Sequence, residues 1–225
     1  MELSVHTFVS LDGVMQGPGG VQEDASGGFD RGGWLVPHST EGQLDQVGEW
    51  FGRADAVLLG RTTFAMMRTY WSQVTEPDNI VATTLNTGQK YVVSNTLSDA
   101  DAAWGKTTVL RGEDVVEQVR RLKEQPGGEL QVHGSWRLVR SLHDAGLVDV
   151  YRLIQFPVVV GAGKRLFGGG GGGDGDGAVP STYRITESKV AAGGSGAVAL
   201  TLRRDAFGTT GAGEFVVREG REGTA

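Results

Sequence analysis

Alternation opens the chain. Leu3, Val5, Thr7 and Val9 fall on one side of a strand that runs from Glu2 to Leu11 and meets the turn pair Asp12-Gly13. Residues 16–33 break the pattern with Gly, Asp and Pro, and Gly32-Gly33-Trp34 ends the stretch. A loop of that length inside one domain is uncommon and often functional. Thr40-Glu41-Gly42-Gln43 has the form of a capping box, and Leu44, Val47 and Phe51 follow at helical spacing, which predicts a helix ending near Arg53. Ala54 to Leu59 reads as a buried strand, Thr62 to Tyr70 as a helix, and the polar stretch 72–79 as a loop.

The alternation of strand and helix then continues. Lys90 to Ser94 and Thr107 to Leu110 are short strands. Glu113 to Glu124 is a helix with Val115, Val119 and Leu122 on one side. Glu129 to His133 is a strand, and Gly134-Ser135 opens a helix carrying Leu138, Leu142 and Ala145. Val148 to Val160 is apolar apart from the break at Pro157. Tyr183 to Val190 and Ala197 to Arg203 are two consecutive strands with little between them. The pattern predicts an α/β fold with a mixed, mostly parallel sheet and an antiparallel C-terminal edge. One domain is expected over 1–204, with a C-terminal tail over 205–225 in which Phe215-Val216-Val217 can dock locally. Residues 168–177 form a Gly/Asp tract; six consecutive glycines cannot repay their ordering entropy, so a flexible surface loop is expected.

Composition narrows the chemistry. The net charge is −6, with no Lys/Arg-rich run, which argues against a nucleic-acid partner but not against a phosphate-bearing ligand. There are no cysteines, so disulfides, iron–sulfur clusters, thiol catalysis and the zinc deaminase signature are excluded. The four histidines, His6, His38, His133 and His143, show no metal-ligand spacing. No secretory leader and no apolar run near the ~18 residues of a membrane span is visible, so a cytoplasmic protein is expected.

Three strand ends carry candidate chemistry. Gly60-Arg61-Thr62 follows one strand and opens a helix, Gly134-Ser135 does the same after another, and Ser94-Asn95-Thr96 ends a third. Free N–H groups at helix starts favour anions, and ligands of open α/β sheets sit beyond the carboxyl ends of strands. Together they suit a dinucleotide. Each alone is also an ordinary polar turn. Gly161-Ala162-Gly163-Lys164 lacks the P-loop spacing and reads as a strand-end turn, with Lys164 only a weak candidate for a substrate phosphate.

An ordered set of segments adds a resemblance. Ser10-Leu11-Asp12-Gly13, Leu58 to Phe64, Lys90 to Ser94, Val132-His133-Gly134-Ser135, Gly146 to Asp149 and Pro157 to Phe167 span about residues 2–204. In this set the chain resembles the dihydrofolate-reductase-like fold, specifically the reductase half of the bifunctional riboflavin-biosynthesis deaminase–reductase and its stand-alone bacterial relatives. The resemblance implies a three-layer fold, a homodimer and NADPH as hydride donor to a small planar heterocycle such as a ribosylaminopyrimidine. It places Gly60, Arg61 and Thr62 at the adenosine side and pyrophosphate, and Ser94, Asn95 and Thr96 near the 2′-phosphate. Gly134, Ser135 and Trp136 would meet the nicotinamide-side phosphate. Many relatives have Arg where Asn95 stands, which loosens the expected preference for NADPH over NADH.

On the substrate side the candidates are Asp12, to orient a substrate amine or relay a proton, and Trp34, to stack on the heterocycle. Asp12 is equally a turn residue and Trp34 equally a core residue. Folate reductases carry an acid on the helix after the loop; Glu41, Asp45 and Glu49 lie there, but none matches by position. A folate or pterin reductase and a non-catalytic nucleotide-binding protein of the same fold stay open as alternatives.

Overall fold

The central strand explains the layering. In the computed structural model, which describes residues 1–168, 177–205, 215–218 and 221–224, β1 (Glu2–Val9) lies between β5 (Glu129–His133) and β6 (Val150–Gln155), parallel to both. β2 (Ala54–Gly60), β3 (Gln89–Val93) and β4 (Lys106–Leu110) extend the parallel sheet beyond β5. β8 (Val198–Arg204) pairs antiparallel with β6, and β7 (Tyr183–Val190) antiparallel with β8. The order is β4-β3-β2-β5-β1-β6-β8-β7, the mixed sheet that the sequence pattern predicts. Phe215–Arg218 (β9) and Arg221–Thr224 (β10) pair with each other as a separate two-stranded sheet. The flexible loop expected over 168–177 lies, but for its end residues, outside the described residues.

Side-chain alternation sends the two sets of β1 residues to opposite layers. Leu3 and Val5, in register with Leu130 and Val132, are fully buried against α4 (Val115–Glu124) and α5 (Trp136–Asp144). The opposite face meets α1 (Glu41–Phe51), α2 (Arg61–Trp71) and α3 (Ile80–Thr87) through two apolar clusters, one around Trp34, Trp50 and Phe156 and one around Phe51, Phe64 and Leu85.

Three local expectations are corrected. The capping box does not form: Thr40 precedes α1 without a side-chain cap bond and its buried Oγ1 has no partner. The turn at Ala192-Gly193 presses on this helix start, so close that a Cβ on Gly193 would lie 2.8 Å from Thr40. Leu44 does not join the apolar face; it is 59% exposed. α3 was not expected at all, although Asn79 caps it by accepting from Ala82 N (3.0 Å).

After Gln155 the chain crosses the end of β1. Leu11 N donates to Val158 O (2.8 Å), Met15 N to Lys164 O (2.9 Å) and Leu166 N to Gly13 O (3.0 Å). This clasp ties residues 10–15 to 158–166 and fixes one wall of a large cleft.

Candidate active site

An open cleft of ≈ 2630 Å³ runs along the carboxyl ends of the parallel strands. Gly60, Arg61, Thr62, Ser94, Gly134, Ser135 and Trp136 line it together, although they come from three separate strand ends. The junction at its centre is built by one side chain. Ser135 Oγ donates to His133 O (3.0 Å) and accepts from Gly60 N (2.9 Å), while Ser135 N donates to Thr63 Oγ1 (3.2 Å). Gly134 and Ser135 have φ of 52° and 56°. For serine this left-handed conformation costs about 1–2 kcal/mol, and the three hydrogen bonds hold it.

The consequence is a pair of open helix ends. Gly60 and Ser135 stand at the N-caps of α2 and α5, and neither makes a side-chain cap bond. Away from this junction, Asn79 and Asp114 cap α3 and α4. The first-turn N–H groups of α2 and α5 are therefore donors without side-chain acceptors, side by side on one wall. Arg61, whose Nη1 donates to Thr96 Oγ1 (3.1 Å), and Arg137 on the first turn of α5 add positive charge there. Backbone donors, helix dipoles and guanidinium groups form a set suited to the phosphates of a nicotinamide dinucleotide. Sequence reasoning missed Arg137; its place one residue after Trp136 at a helix start was the available signal.

Asn95 and Thr96 do not line this cleft. Asn95 Oδ1 accepts from Gly112 N (2.7 Å), which commits its acceptor to holding the β3 and β4 ends together. Thr96 faces a smaller hollow shared with Arg61, Arg68 and Asp101. Ser94 Oγ accepts from Thr96 N (3.2 Å) and Leu97 N (3.0 Å), so its role is to shape that turn.

Asp12 and Trp34 also stand off the cleft wall. The Asp12 carboxylate accepts from Ser10 Oγ (2.7 Å), Val160 N (3.0 Å) and Gly161 N (2.9 Å), with Arg165 Nη2 at 3.3 Å. Burial opposes its charge, but the bonds from Ser10, Val160 and Gly161 prevail and hold it well below the usual carboxylate range. It is the pin of the clasp, with no lone pair left over for a proton relay. Trp34 is a core residue: its Nε1 donates to Gln16 O (2.9 Å) and its ring meets Phe156 edge-on at 5.9 Å. Lys164 Nζ is bound to Asp24 Oδ2 and Ser26 Oγ, both at 2.6 Å, and fastens the 16–33 loop to the clasp.

The deep wall of the cleft is polar, which the sequence did not reveal. His6 and His133 stack with ring centres 4.8 Å apart, and Phe51 stacks on His133 at 4.1 Å. Burial lowers the His133 pKa to about 3, and burial with the neighbouring His133, Arg152 and Arg53 lowers His6 well below its ordinary value, so both are neutral. Beneath them Arg152 grips Glu129 in two bonds (2.7 and 2.6 Å), and Gln131 Nε2 donates to Glu129 (3.0 Å) and to Trp50 O (2.7 Å).

Comparison with known proteins places this arrangement. The family model for the RibD C-terminal domain matches residues 2–198. An uncharacterized protein of Bacillus subtilis (strain 168), YyaP, is 28% identical over 161 residues, covering 71% of this chain and 76% of that protein. Among solved structures, a protein of Shewanella sp. PV-4 assigned to riboflavin biosynthesis superposes with a TM-score of 0.64 at 21% identity, covering 91% of this chain and 99% of the other. The diaminohydroxyphosphoribosylaminopyrimidine deaminase/5-amino-6-(5-phosphoribosylamino)uracil reductase of Thermotoga maritima superposes at 0.58 and 15% identity, over 91% of this chain and 56% of that one. Dihydrofolate reductase of Enterococcus faecalis, complexed with NADP(H), superposes at 0.53 and 14% identity, over 91% and 96%. The fold is thus dihydrofolate-reductase-like, and with its match from Glu2 onward the chain belongs to the RibD C-terminal domain family, a family of riboflavin-pathway-type reductases.

Proposed function

We propose that the protein is an NADPH-dependent reductase of a small planar nitrogen heterocycle, akin to the aminouracil reductases of riboflavin biosynthesis. The observation that carries this reading is the pair of uncapped helix starts joined through Ser135, with Arg61 and Arg137 beside them. Bound there, the dinucleotide would supply the hydride. The α2 and α5 N–H groups would hold its phosphates, and Gly134, with no Cβ, would let the backbone come close. His6, Phe8, Val47 and Trp50 line the cleft between β1 and α1, where the heterocycle would lie. Their work is to orient it against the nicotinamide. The reading extends to a homodimer, which rests on resemblance alone, and to a cytoplasmic location; among the described residues no helix is long and apolar enough to cross a membrane.

Titration with NADPH and NADH tests it. Arg61→Ala is expected to weaken NADPH by about 1.5–3 kcal/mol, the range of a charge-assisted contact, and NADH less. Equal losses would move Arg61 from the 2′-phosphate to the pyrophosphate. A wild-type protein that binds neither dinucleotide would end the reductase reading, and turnover of dihydrofolate would replace the heterocycle named here with a folate.

A further inference from the structure

We propose that the substrate half of the cleft takes an uncharged or cationic amino heterocycle that carries no phosphate. The proposal rests on the reductase reading above and narrows its substrate. It departs from the phosphoribosyl compound named for the Thermotoga maritima relative.

Charge is the first observation. Among the described residues, the cations lining the cleft are Arg61, Arg137, Lys164 and Arg165. Arg61 and Arg137 belong to the cofactor half. Lys164 is bound to Asp24 and Ser26, and Arg165 donates to the Asp12 carbonyl (3.0 Å), the Asp12 carboxylate (3.3 Å) and Gly161 O (3.0 Å). Releasing either to a phosphate would break the clasp contacts it now makes and take the cation from Asp24 or Asp12. The wall around α1 and the start of α3 instead presents Asp45, Glu49, Glu76 and Asp78, and the loop presents Asp30. Arg53, next to that wall, is paired with Glu49 (2.6 Å). Phosphates are held by free arginines, lysines and helix starts, whereas a dianion brought here meets carboxylates.

The second observation is independent of charge. His6 Nδ1, Gln43 Oε1 and Trp50 Nε1 are buried atoms without hydrogen-bond partners, on side chains of residues 4%, 2% and 4% exposed. All three residues line this half of the cleft. Buried polar groups in folded proteins are nearly always paired, so three orphans on one wall mark where a partner is missing. Ser4 Oγ donates to Glu129 Oε2 (3.3 Å) and lies 2.9 Å from His6 Nε2. With the Ser4 proton on Glu129, His6 donates from Nε2 and its Nδ1 is an open acceptor. A ligand seated deep enough to reach these atoms would find two acceptors, His6 and Gln43, and one donor, Trp50. Ring or exocyclic N–H groups answer the acceptors, and a ring nitrogen or carbonyl answers the indole.

The test uses the full chain and a matched pair of ligands, 5-amino-6-(5-phosphoribosylamino)uracil and its dephosphorylated form. Calorimetry on the NADP⁺-saturated protein reads binding, and NADPH oxidation reads turnover. The phosphate-free compound is expected to bind at least tenfold tighter in low salt, with the gap closing as salt rises and in Asp45→Asn/Asp78→Asn. Gln43→Leu is expected to cost its binding about tenfold and to leave NADP⁺ affinity unchanged. Equal or tighter binding of the phosphorylated compound overturns the proposal. So does failure of both compounds to bind a protein that still binds NADP⁺. Failure to bind NADP⁺ itself strikes the reductase reading instead.

Discussion

The two faces of the central sheet are held by different forces. Toward α4 and α5, strands and helices meet through Leu3, Val5, Leu130, Val132, Leu138 and Leu142. Toward α1 the same strands bury Ser4, His6, Glu129, Gln131, His133 and Arg152. The apolar face gains from every methylene removed from water. The polar face gains little net stability from its ion pair, because desolvating two charges offsets most of their attraction. What it offers is a set of neutral and paired groups with fixed directions under the cleft. A scaffold face and a site face are thus made from alternate residues of the same three strands.

Breaking the polar face at its pair has the largest expected effect. Glu129→Gln leaves Arg152, whose side chain is 1% exposed, without its carboxylate partner, and the expected loss is about 3–5 kcal/mol in denaturant unfolding. Leu142→Ala on the other face is expected to cost about 2–5 kcal/mol through its cavity. The double replacement Glu129→Leu/Arg152→Met separates the two kinds of stabilisation. Recovery of most of the Glu129→Gln loss, together with weaker heterocycle binding, would show that the pair serves the site more than the fold. No recovery would show that the polar face stabilises as the apolar one does.

Acid probes the same contrast at smaller amplitude. His133 stays neutral in the folded protein down to about pH 3, whereas the unfolded chain takes up a proton near pH 6.5. Above about 6.5 neither state binds that proton and the residue adds no pH dependence. Between about 6.5 and 3 only the unfolded chain binds it, so stability falls with pH by at most about 1.4 kcal/mol per unit. His133→Gln is expected to remove this share, narrowing the gap between unfolding free energies at pH 7.5 and pH 5 by about 2 kcal/mol. An unchanged gap would mean that the imidazole is protonated in the folded state. His6, lowered by the same burial and by its charged neighbours, contributes in the same direction.

The apolar face was legible from periodicity, since Leu3 with Val5 and Leu138 with Leu142 sit at strand and helix spacing and nothing else competes for them. The mixed sheet and its antiparallel edge followed from the alternation of elements, whereas the strand order did not. The paired helix starts on the cleft wall were legible too, because a glycine and a helix start after a strand are local features. The polar wall was not. Glu129 to His133 reads as a strand without showing which of its polar residues are buried, and only the pairing of β5 between β1 and β2 buries all five of its residues. Asp12 misled for a related reason: a carboxylate after the first strand looks the same in sequence whether it faces a substrate or two backbone N–H groups arriving from residues 160 and 161. α3 escaped notice because a run of eight residues with three threonines has little helical periodicity, although its Asn79 cap was in view.

The smallest expected effect tests whether a residue with the wrong exposure belongs to the site. Leu44 stands at a spacing that assigns it to the packed side of α1, together with Val47 and Phe51, yet it is 59% exposed and on the cleft rim. Phe51 is 4% exposed and stacks on His133, so its truncation would cost about 3–5 kcal/mol. Leu44→Ala is expected to change unfolding free energy by less than about 0.5 kcal/mol, the range of surface substitutions. If the leucine covers the heterocycle, the same variant raises KM for it and leaves kcat and NADPH affinity unchanged, because an apolar lid contact is made equally in the ground and transition states. A stability loss matching that of Phe51 would return Leu44 to the core. Unchanged KM would leave the wall between β1 and α1 to be formed by His6, Gln43, Val47 and Trp50 without it.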